Sequence, residues 1–394
     1  MTSLHGIRVL DLTRVLSGPF CTRILADMGA EVVKIEKPAA GDDSRGFGPF
    51  VNRESLYFAD INRNKRSVTL DLRKSEGASI LKRMIPHFDV LVQNFRPGTM
   101  EKWGLSYDIV KGYNPGIIYA SISGYGQTGP YRDYPAYDII IQGMAGIMSI
   151  NGSEGGEPTK LGVSIADVTA GLYSAISILG AINYRNNTGE GQFIDISLFD
   201  CIVSLLSNPI SHFMASGDVP APIGNRHMAI APFTTLFTSD GSIILAIGND
   251  NLWKKFCNLV DRRDLIADPR FRTNRQRCDN WKQLDPVLNE IMRTDTTETW
   301  LRVLQEKGIP CGPINDIAAV VEDPQVRARK IILDTNHPVI GDFKVMDTPI
   351  KMSSASREPY KAAPALGEHS AELLRKYAQL DDAAIAILHK NNIV

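Results

Sequence analysis

One carboxylate in the sequence has the setting of a reactive group. Asp167 stands within residues 162–171 (GVSIADVTAG), a run of small and apolar residues that leads directly into an apolar segment with helical spacing. Near a helix N-terminus, free N–H groups and the helix dipole stabilise a carboxylate. Asp167 could therefore be a helix cap, which is the commoner role of such an aspartate, or a catalytic carboxylate. The pattern alone leaves both roles open.

A group of basic side chains in the first 102 residues could bind phosphate. Several of them follow predicted strands, and open α/β sheets bind ligands at the carboxyl ends of their strands. Phosphate groups require donors of this kind, although a solvated charged surface is the alternative interpretation. The residues are Arg14, Lys34, Lys37, Arg45, Arg63, Lys65, Arg66, Arg73, Arg96 and Lys102.

Other catalytic patterns are weak. Residues 124–129 (GYGQTG) match the GxGxxG dinucleotide motif, but Pro130 follows them and no small-residue helical pattern comes after. The chain has no GxSxG motif, and its seven histidines form no HxH or HExxH pair, so neither a serine hydrolase nor a metal site is predicted. Cys311, in residues 308–313 (GIPCGP), is interpreted as a packed thiol and not as a nucleophile.

Composition and charge narrow the class of protein. The chain has 394 residues, of which 43% are hydrophobic, enough for a large core and two domains. Its 43 basic and 44 acidic residues give a net charge of −1, which argues against a nucleic-acid or anionic-membrane partner. The five cysteines are scattered, no signal-peptide pattern begins the chain, and the apolar stretches are broken short of about 20 residues. We therefore expect a cytoplasmic protein without a membrane partner.

Short apolar runs alternate with helix-length segments over the first 125 residues. Strands separated by helices in this way form right-handed βαβ units with a parallel sheet. Further along, the pattern predicts an apolar helix over residues 169–186, a strand over 193–198 and a helix over 200–215. The predicted strands of the first part are residues 7–12, 31–36, 68–72, 89–95 and 117–123.

The second half of the chain has a different pattern. Residues 216–232 are rich in Gly, Pro and Ala and are interpreted as a linker, whereas residues 233–248 are predicted to form a hairpin. Residues 225–330 are predicted to form a smaller domain, mostly helical after residue 250. Residues 331–394 then add a hairpin and two helices.

A set of short motifs, each weak by itself, occurs in an order and spacing that are highly specific together. With these motifs the chain resembles the family III CoA-transferases over essentially its whole length. The motifs are residues 4–13 (LHGIRVLDLT), 18–19 (GP), 25–36 (LADMGAEVVKIE), 41–42 (GD), 64–67 (NKRS), 94–95 (NF), 97–98 (PG), 123–126 (SGYG), 308–313 (GIPCGP) and 366–369 (LGEH).

The resemblance implies an α/β fold whose large domain is a doubly wound, Rossmann-like parallel sheet. That domain would combine residues 1–215 with residues 331–394, and the smaller α+β domain of residues 225–330 would lie between them in sequence. The resemblance also implies an interlocked homodimer. No cofactor would be bound permanently, because CoA and acyl-CoA are substrates together with a carboxylic acid.

The resemblance also assigns roles to residues. Asp167 would attack the acyl-CoA thioester to give a mixed anhydride, CoA thiolate would attack the aspartyl carbonyl, and the acceptor would replace CoA through a second anhydride. Gly224, Asn225, Arg226 and His227 would form a loop that closes over the acyl group, a plain surface turn being the alternative. The implied CoA contacts are Val15, Leu16, Ser17, Lys37, Leu70, Asp71, Arg73, Asn94, Phe95, Arg96, Lys102, Pro135, Ala136 and Tyr137.

Differences within the family narrow the reaction. Acyl-CoA racemases of the same fold, the alternative function, carry a His before an Asp where this chain has Tyr137 and Asp138. Formyl-CoA:oxalate transferases carry Gln and Trp where this chain has Leu16 and Phe47, whereas Arg14 is closer to the succinyl-CoA:dicarboxylate branch. The resemblance therefore implies transfer of CoA from succinyl-CoA or a similar donor to a dicarboxylate.

Overall fold

The computed structural model describes residues 1–356 and 359–394. The strands are β1 (Arg8–Asp11), β2 (Glu31–Glu36), β3 (Phe50–Val51), β4 (Glu54–Ser55), β5 (Lys65–Thr69), β6 (Val90–Gln93), β7 (Ile118–Ser123), β8 (Gln192–Ser197), β9 (Phe233–Phe237), β10 (Ser242–Ala246), β11 (Cys311–Pro313), β12 (Ile332–His337) and β13 (Gly341–Met346). The helices are α1 (Ser17–Asp27), α2 (Leu56–Ile61), α3 (Ser75–Met84), α4 (Thr99–Lys102), α5 (Tyr107–Tyr113), α6 (Asp138–Met144), α7 (Ile147–Ile150), α8 (Ile165–Thr188), α9 (Leu198–Leu205), α10 (Ser207–Ser216), α11 (Asp250–Leu259), α12 (Asp264–Ala267), α13 (Asn274–Asp279), α14 (Trp281–Met292), α15 (Thr297–Glu306), α16 (Ile317–Glu322), α17 (Pro324–Ala328), α18 (Ser370–Ala378) and α19 (Asp382–Lys390). Two short 3₁₀ helices are Asp43–Gly46 and Ile85–His87.

Six parallel strands form the main sheet, in the spatial order β5-β2-β1-β6-β7-β8. Counted within this sheet alone, the order is 3-2-1-4-5-6, so the chain winds outward from β1 first to one side and then to the other. This arrangement confirms the α/β class and the large parallel sheet predicted from the sequence. It also creates a topological switch point between β1 and β6, where sheets of this kind bind their ligands.

Successive residues of β1 face opposite sides of the sheet and enter separate cores. Val9 belongs to the core that contains the buried side chains of α1 and α8. Leu10 belongs to the other core, which contains those of α3 and of the two last helices, α18 and α19. Leu373 and Leu388 of these helices thus help to cover a sheet face that the N-terminal part of the chain builds.

The described chain divides into two compact units. The first comprises Met1–Ile147, Lys160–Ala215 and Arg327–Val394, and the second comprises Met148–Thr159 and Ser216–Val326. The sequence interpretation placed residues 148–159 in the large domain, but the N–H of Gly224 donates to the carbonyl of Gly152 over 3.0 Å and ties this segment to the second unit. The last boundary likewise falls at residue 327 and not at residue 331.

The second unit has its own sheet and core. The hairpin predicted over residues 233–248 is confirmed, because β9 and β10 pair antiparallel, and β11 pairs with the other edge of β10. The helices contribute large apolar side chains to the core, among them Trp253, Phe256, Leu284 and Leu304.

Helix α8 is longer than the predicted residues 169–186 and includes Asp167 in its first turn. By length and composition alone it could cross a membrane, contrary to the sequence prediction that no apolar stretch is long enough. Half of its most apolar window is buried inside the protein, however, and a core helix of a soluble protein meets the same criteria. The absence of a membrane partner stays a prediction.

Small residues on the buried side of α8 bring it close to α1. A Cβ atom at Gly171 would lie 2.7 Å from the backbone oxygen of Ser17, which is far inside van der Waals contact. Only a residue without a side chain fits at this crossing, so Gly171 sets the distance between the start of α1 and the second turn of α8.

We expect Gly171→Ala to lower the free energy of unfolding by roughly 1–3 kcal/mol, because the added methyl group would force α1 and α8 apart. Gly112→Ala in α5 is the matched control, since, beyond its own helix and chain neighbours, no heavy atom of the described residues lies within 4 Å of a Cβ built there. Its better helix propensity should make that variant neutral or more stable by up to about 1 kcal/mol. Urea denaturation measures both variants, and an unchanged stability of Gly171→Ala would contradict the close crossing.

Candidate active site

The loop between β1 and α1 is held by side chains from two neighbouring connections. The N–H of Val15, which has a positive φ of 67°, donates to Asp42 Oδ1 over 3.0 Å. The Asn94 side chain accepts from the N–H of Arg14 over 2.9 Å and donates to its carbonyl over 2.8 Å. Because Asp42 follows β2 and Asn94 follows β6, the loop is clamped at the carboxyl end of the sheet, beside the switch point.

Two buried ion pairs anchor the same region. Lys34 Nζ lies 2.8 Å from Asp42 Oδ2, and Lys65 Nζ lies 2.9 Å from Asp11 Oδ2; all four side chains are buried. Lys34 also donates to the carbonyl of Thr13 over 2.8 Å. Burial by itself would raise the pKa of Asp11, but Lys65 and Lys34 hold it below its usual value, so the carboxylate is charged. Lys34 and Lys65 are thus structural cations, and their interpretation as phosphate ligands is wrong.

A cavity of about 460 Å³ opens at the carboxyl ends of β1, β2, β5 and β6. The rings of Phe95 and Trp103 both line it and meet edge to face, with centroids 4.9 Å apart. Arg73 also lines it and donates to both oxygens of Asp71, over 2.8 and 2.7 Å, and these bonds lower the pKa of that carboxyl. The cavity therefore combines an apolar wall with basic side chains, as a nucleotide requires.

The structure gathers part of the implied CoA-binding set around this cavity. The residues that line it are Lys37, Leu70, Asp71, Arg73, Phe95 and Arg96. Arg14 and Trp103 line it as well but were not among the implied CoA contacts. Trp103 follows the apolar Met100 at helical spacing, so an aromatic residue one position beyond Lys102 was the signal available in the sequence.

The remaining members of the set lie outside the lining of this cavity. Val15, Leu16, Ser17 and Asn94 belong to the clamped loop and its anchor, and Lys102 ends the short helix α4. Pro135, Ala136 and Tyr137 precede α6. Their contact with CoA stays a prediction.

Asp167 is the third residue of α8, and the N-cap is Ser164. The N–H of Ala166 donates to Asp138 Oδ1 over 2.8 Å, so a carboxylate from the start of α6 satisfies the first turn of α8. The capping role that the sequence left open for Asp167 is therefore performed by Asp138, and Asp167 is not the N-cap residue. Asp138 was missed as a site residue, although an aspartate directly before the apolar run of residues 139–141 is a typical helix-start signal.

The surroundings of Asp167 disfavour its charge. Burial, and then the nearby negative charge of Asp138, raise the pKa of Asp167 to about 7, while a hydrogen bond with the Ser17 side chain opposes this shift. Burial and the charges of Asp167, Asp42 and Asp138 raise the pKa of Tyr57 to about 12, so its phenol is neutral. Tyr57 is a second residue near Asp167 that sequence reasoning did not identify.

A carboxylate in this setting is a stronger base and nucleophile than one in water. Its negative charge is poorly solvated and is repelled by a second carboxylate. Acylation would convert Asp167 into a neutral anhydride or thioester and would remove both penalties. The arrangement thus favours covalent catalysis by Asp167 on an activated acyl donor.

Comparison with known proteins agrees with this chemistry. Residues 4–370 match the sequence model of CoA-transferase family III. The chain belongs to this family. The succinyl-CoA:glutarate CoA-transferase of Mus musculus is 37% identical over 395 residues, covering 100% of this chain and 91% of the relative. The succinate–glutarate CoA-transferase of Agrobacterium fabrum is 38% identical and covers 97% of both chains. The acetyl-CoA:oxalate CoA-transferase of Acetobacter aceti is 39% identical and covers 95% of both.

Solved structures of similar proteins share the fold of this CoA-transferase. A CAIB/BAIF family protein from Brucella suis has a TM-score of 0.84 at 40% identity, with 95% of this chain and 99% of that one covered. The Rv3272 protein from Mycobacterium tuberculosis has a TM-score of 0.85 at 29% identity, with 94% and 98% covered. The prediction from sequence motifs that the chain is a family III CoA-transferase is confirmed.

The implied substrate loop of the CoA-transferase belongs to the second unit and is bound to its own neighbours there. The Asn225 side chain donates to Thr235 Oγ1 over 3.0 Å. The Arg226 guanidinium pairs with Glu154 over 3.1 Å, and the His227 ring packs against that of Phe233 at 5.5 Å. Gly224 supplies the positive φ, 67°, that the turn needs. Closure of this loop over an acyl group stays a prediction.

At pH values below about 7, Asp167 takes up a proton and loses its nucleophilic charge. We expect kcat/KM of CoA transfer to fall about tenfold per pH unit below that point. Asp138→Asn keeps a side-chain oxygen for the N–H of Ala166 but removes the negative charge, so the acid limb of the profile should move to lower pH. Thermal melting establishes that the variant is folded, and an acid limb that does not move would contradict the role of Asp138.

Proposed function

We propose that this CoA-transferase moves CoA from succinyl-CoA, or a similar acyl-CoA, to a dicarboxylate through intermediates on Asp167. The observation that carries the proposal is the partly buried carboxylate of Asp167, whose pKa burial and Asp138 raise to about 7. Relatives named for succinyl-CoA and glutarate, at 37% and 38% identity over nearly whole chains, support the choice of donor and acceptor.

The proposed reaction consists of four acyl transfers without net proton uptake. Asp167 attacks the donor thioester, its C–S bond breaks, and a mixed anhydride and CoA thiolate result. The thiolate attacks the aspartyl carbonyl, which releases the donor acid and leaves an aspartyl-CoA thioester. The acceptor carboxylate attacks that thioester to form a second anhydride, and the released thiolate attacks the acceptor carbonyl to give the new acyl-CoA and free Asp167.

Burial assists this sequence in two ways. The penalty on the charged carboxylate disappears when Asp167 becomes an anhydride or thioester, so the intermediates are favoured relative to the resting enzyme. Anhydrides and thioesters hydrolyse in water, and a partly buried side chain is less exposed to that loss. The same setting therefore supplies reactivity and protection.

We propose that the cavity at the switch point holds the nucleotide part of CoA. Lys37 and Arg73 would bind its phosphates together with Lys102, while Phe95 would contact the adenine or the pantetheine arm. Lys37 and Lys102 stand where some relatives carry Arg, so their phosphate contacts would be single and not bidentate. The basic side chains around the cavity and its position at the switch point support this assignment.

The acceptor is proposed as a dicarboxylate without a fixed chain length. The relatives from Mus musculus and Agrobacterium fabrum are named for glutarate, but the similar protein from Acetobacter aceti is named for oxalate at 39% identity. Leu16 and Phe47 replace the Gln and Trp of the formyl-CoA:oxalate enzymes, which favours acceptors longer than oxalate. A panel of acids incubated with succinyl-CoA or acetyl-CoA, with mass spectrometry of the acyl-CoA products, measures the preference.

We also propose that the CoA-transferase acts as a homodimer in the cytoplasm. The outer side of α8 exposes Leu172, Tyr173 and Ile176, the last with 62% of its surface accessible. A helix with apolar residues on both sides is normally buried on both sides. We therefore propose that a second copy of the chain packs against the exposed apolar side of α8. The five cysteines are free, which suits a reducing compartment. Interlocking of the two chains stays a prediction.

We expect Asp167→Ala to abolish CoA exchange between succinyl-CoA and any acid while leaving the melting temperature unchanged or higher, because a destabilised charge is removed. Asp133→Ala, on an exposed loop, is the control and should exchange normally. In the wild-type enzyme, quenching with hydroxylamine followed by peptide mass spectrometry should place the modified side chain at Asp167. Substantial turnover by Asp167→Ala would overturn the assigned nucleophile.

Light scattering after size-exclusion chromatography should give the wild-type protein twice the chain mass of 43.4 kDa. Ile176→Glu would bury a charge at the proposed interface and should shift the protein toward the single-chain mass. Asn187→Glu, exposed on the same helix, is the control and should not change the mass. A wild-type protein with the single-chain mass would refute the homodimer.

A further inference from the structure

The side chain of Ser17 occupies a place that CoA binding alone does not explain. Ser17 is the first residue of α1 and is only 5% exposed. Its hydroxyl accepts a hydrogen bond from Asn94 Nδ2 over 3.3 Å, and it lies close enough to the carboxyl group of Asp167 to oppose the rise in the pKa of that group. The hydroxyl thus connects the clamp of the β1–α1 loop with the proposed nucleophile.

The direction of these hydrogen bonds follows from the number of hydrogens that the Asn94 amide and the Ser17 hydroxyl can donate. Asn94 Oδ1 accepts the N–H of Arg14, which fixes which end of the amide carries the hydrogens, and one hydrogen of Nδ2 is donated to the carbonyl of Arg14. The second hydrogen of Nδ2 points to Ser17 Oγ. The Ser17 hydroxyl accepts this bond and has a single hydrogen of its own. That hydrogen is therefore available for Asp167, which in its charged form can only accept.

The backbone keeps this donor in place. Gly171, one helical turn beyond Asp167, approaches the carbonyl of Ser17 so closely that a Cβ would lie 2.7 Å from it. The start of α1 is thus in direct contact with α8 one helical turn beyond Asp167. Preorganised donors of this kind cost no reorganisation when charge develops on their acceptor.

We propose that the Ser17 hydroxyl is a catalytic hydrogen-bond donor to the aspartyl carbonyl oxygen in each step in which CoA thiolate or an acid attacks Asp167. This inference rests on the proposed function, because it requires an aspartyl intermediate. In the resting enzyme the hydroxyl holds one oxygen of Asp167 and leaves the other to attack the acyl donor. That attacking oxygen becomes the bridging atom of the anhydride, and the held oxygen becomes its aspartyl carbonyl.

The donor acts when the aspartyl carbonyl is attacked. As the C–S bond to CoA forms, the carbonyl electron pair moves onto the held oxygen, which gains negative charge next to the Ser17 O–H. When the tetrahedral species collapses, the C–O bond to the donor acid breaks and the carbonyl reforms. The hydroxyl keeps its proton throughout, so the step balances without an added acid or base.

Ser17→Ala tests the inference because it removes the hydroxyl and little else. We expect kcat to fall by about 100-fold, the usual loss for one oxyanion donor, with little change in KM. Ser17→Thr restores a hydroxyl and should recover part of kcat. Ser79→Ala on the exposed side of α3, whose hydroxyl donates to the carbonyl of Ser75 in the same helix, is the control and should behave like the wild type.

Rapid quenching separates this inference from the proposed function. In the wild-type enzyme mixed with succinyl-CoA, an adduct on Asp167 should form, whereas in Ser17→Ala its conversion to the aspartyl-CoA thioester should be slowed by the same factor as kcat. If no adduct forms in the wild type under any condition, the proposed function fails. If the adduct forms normally and Ser17→Ala, shown by thermal melting to be folded, keeps the wild-type kcat, only the role of Ser17 is overturned.

Discussion

The compensation of buried charge at the carboxyl end of the sheet is the constraint on which the site depends. Asp11 and Lys65, and Lys34 and Asp42, lie out of water, and each charge is tolerated only because its partner is present. Asp42 also accepts the N–H of Val15, and Lys34 also donates to the carbonyl of Thr13. The Lys34–Asp42 pair therefore fixes the loop that leads into α1. The loss of one charge would leave its partner buried and unpaired, and the loop would lose its anchor.

The electrostatic setting of the proposed nucleophile, Asp167, is the opposite of this. Among the described residues, the charge that most affects the pKa of Asp167 is the negative charge of Asp138, which repels it. Asp138 is retained because it satisfies the first turn of α8, so one side chain both stabilises the helix and destabilises the charge that the helix carries. The fold thus pairs the buried charges of the scaffold with opposite charges, whereas the charge of the reactive carboxylate is destabilised. This is the usual difference between a stable framework and an active centre.

Much of this arrangement was predictable from the sequence, and the failures have physical reasons. The alternation of strands and helices predicted the parallel sheet, and motif order predicted the family and drew attention to Asp167. Residues 148–159 were assigned to the wrong unit because the bond from Gly224 to Gly152 joins positions far apart in the chain, which local pattern cannot reveal. Lys34 and Lys65 were considered as phosphate ligands or surface charges, because the local sequence around a lysine does not reveal a buried aspartate from a distant part of the chain. The roles of the CoA contacts and of the loop from Gly224 to His227 remain predictions.

Helices α18 and α19 cover one face of the main sheet, although they follow its last strand, β8, by a long stretch of chain. When β7 leaves the ribosome, the apolar side chains of that face, Leu10 and Leu91 among them, still lack this cover. At usual elongation rates the residues between β7 and the end of α19 take on the order of tens of seconds to appear. The nascent chain therefore exposes part of an apolar sheet face over that interval, and surface of this kind is prone to aggregation.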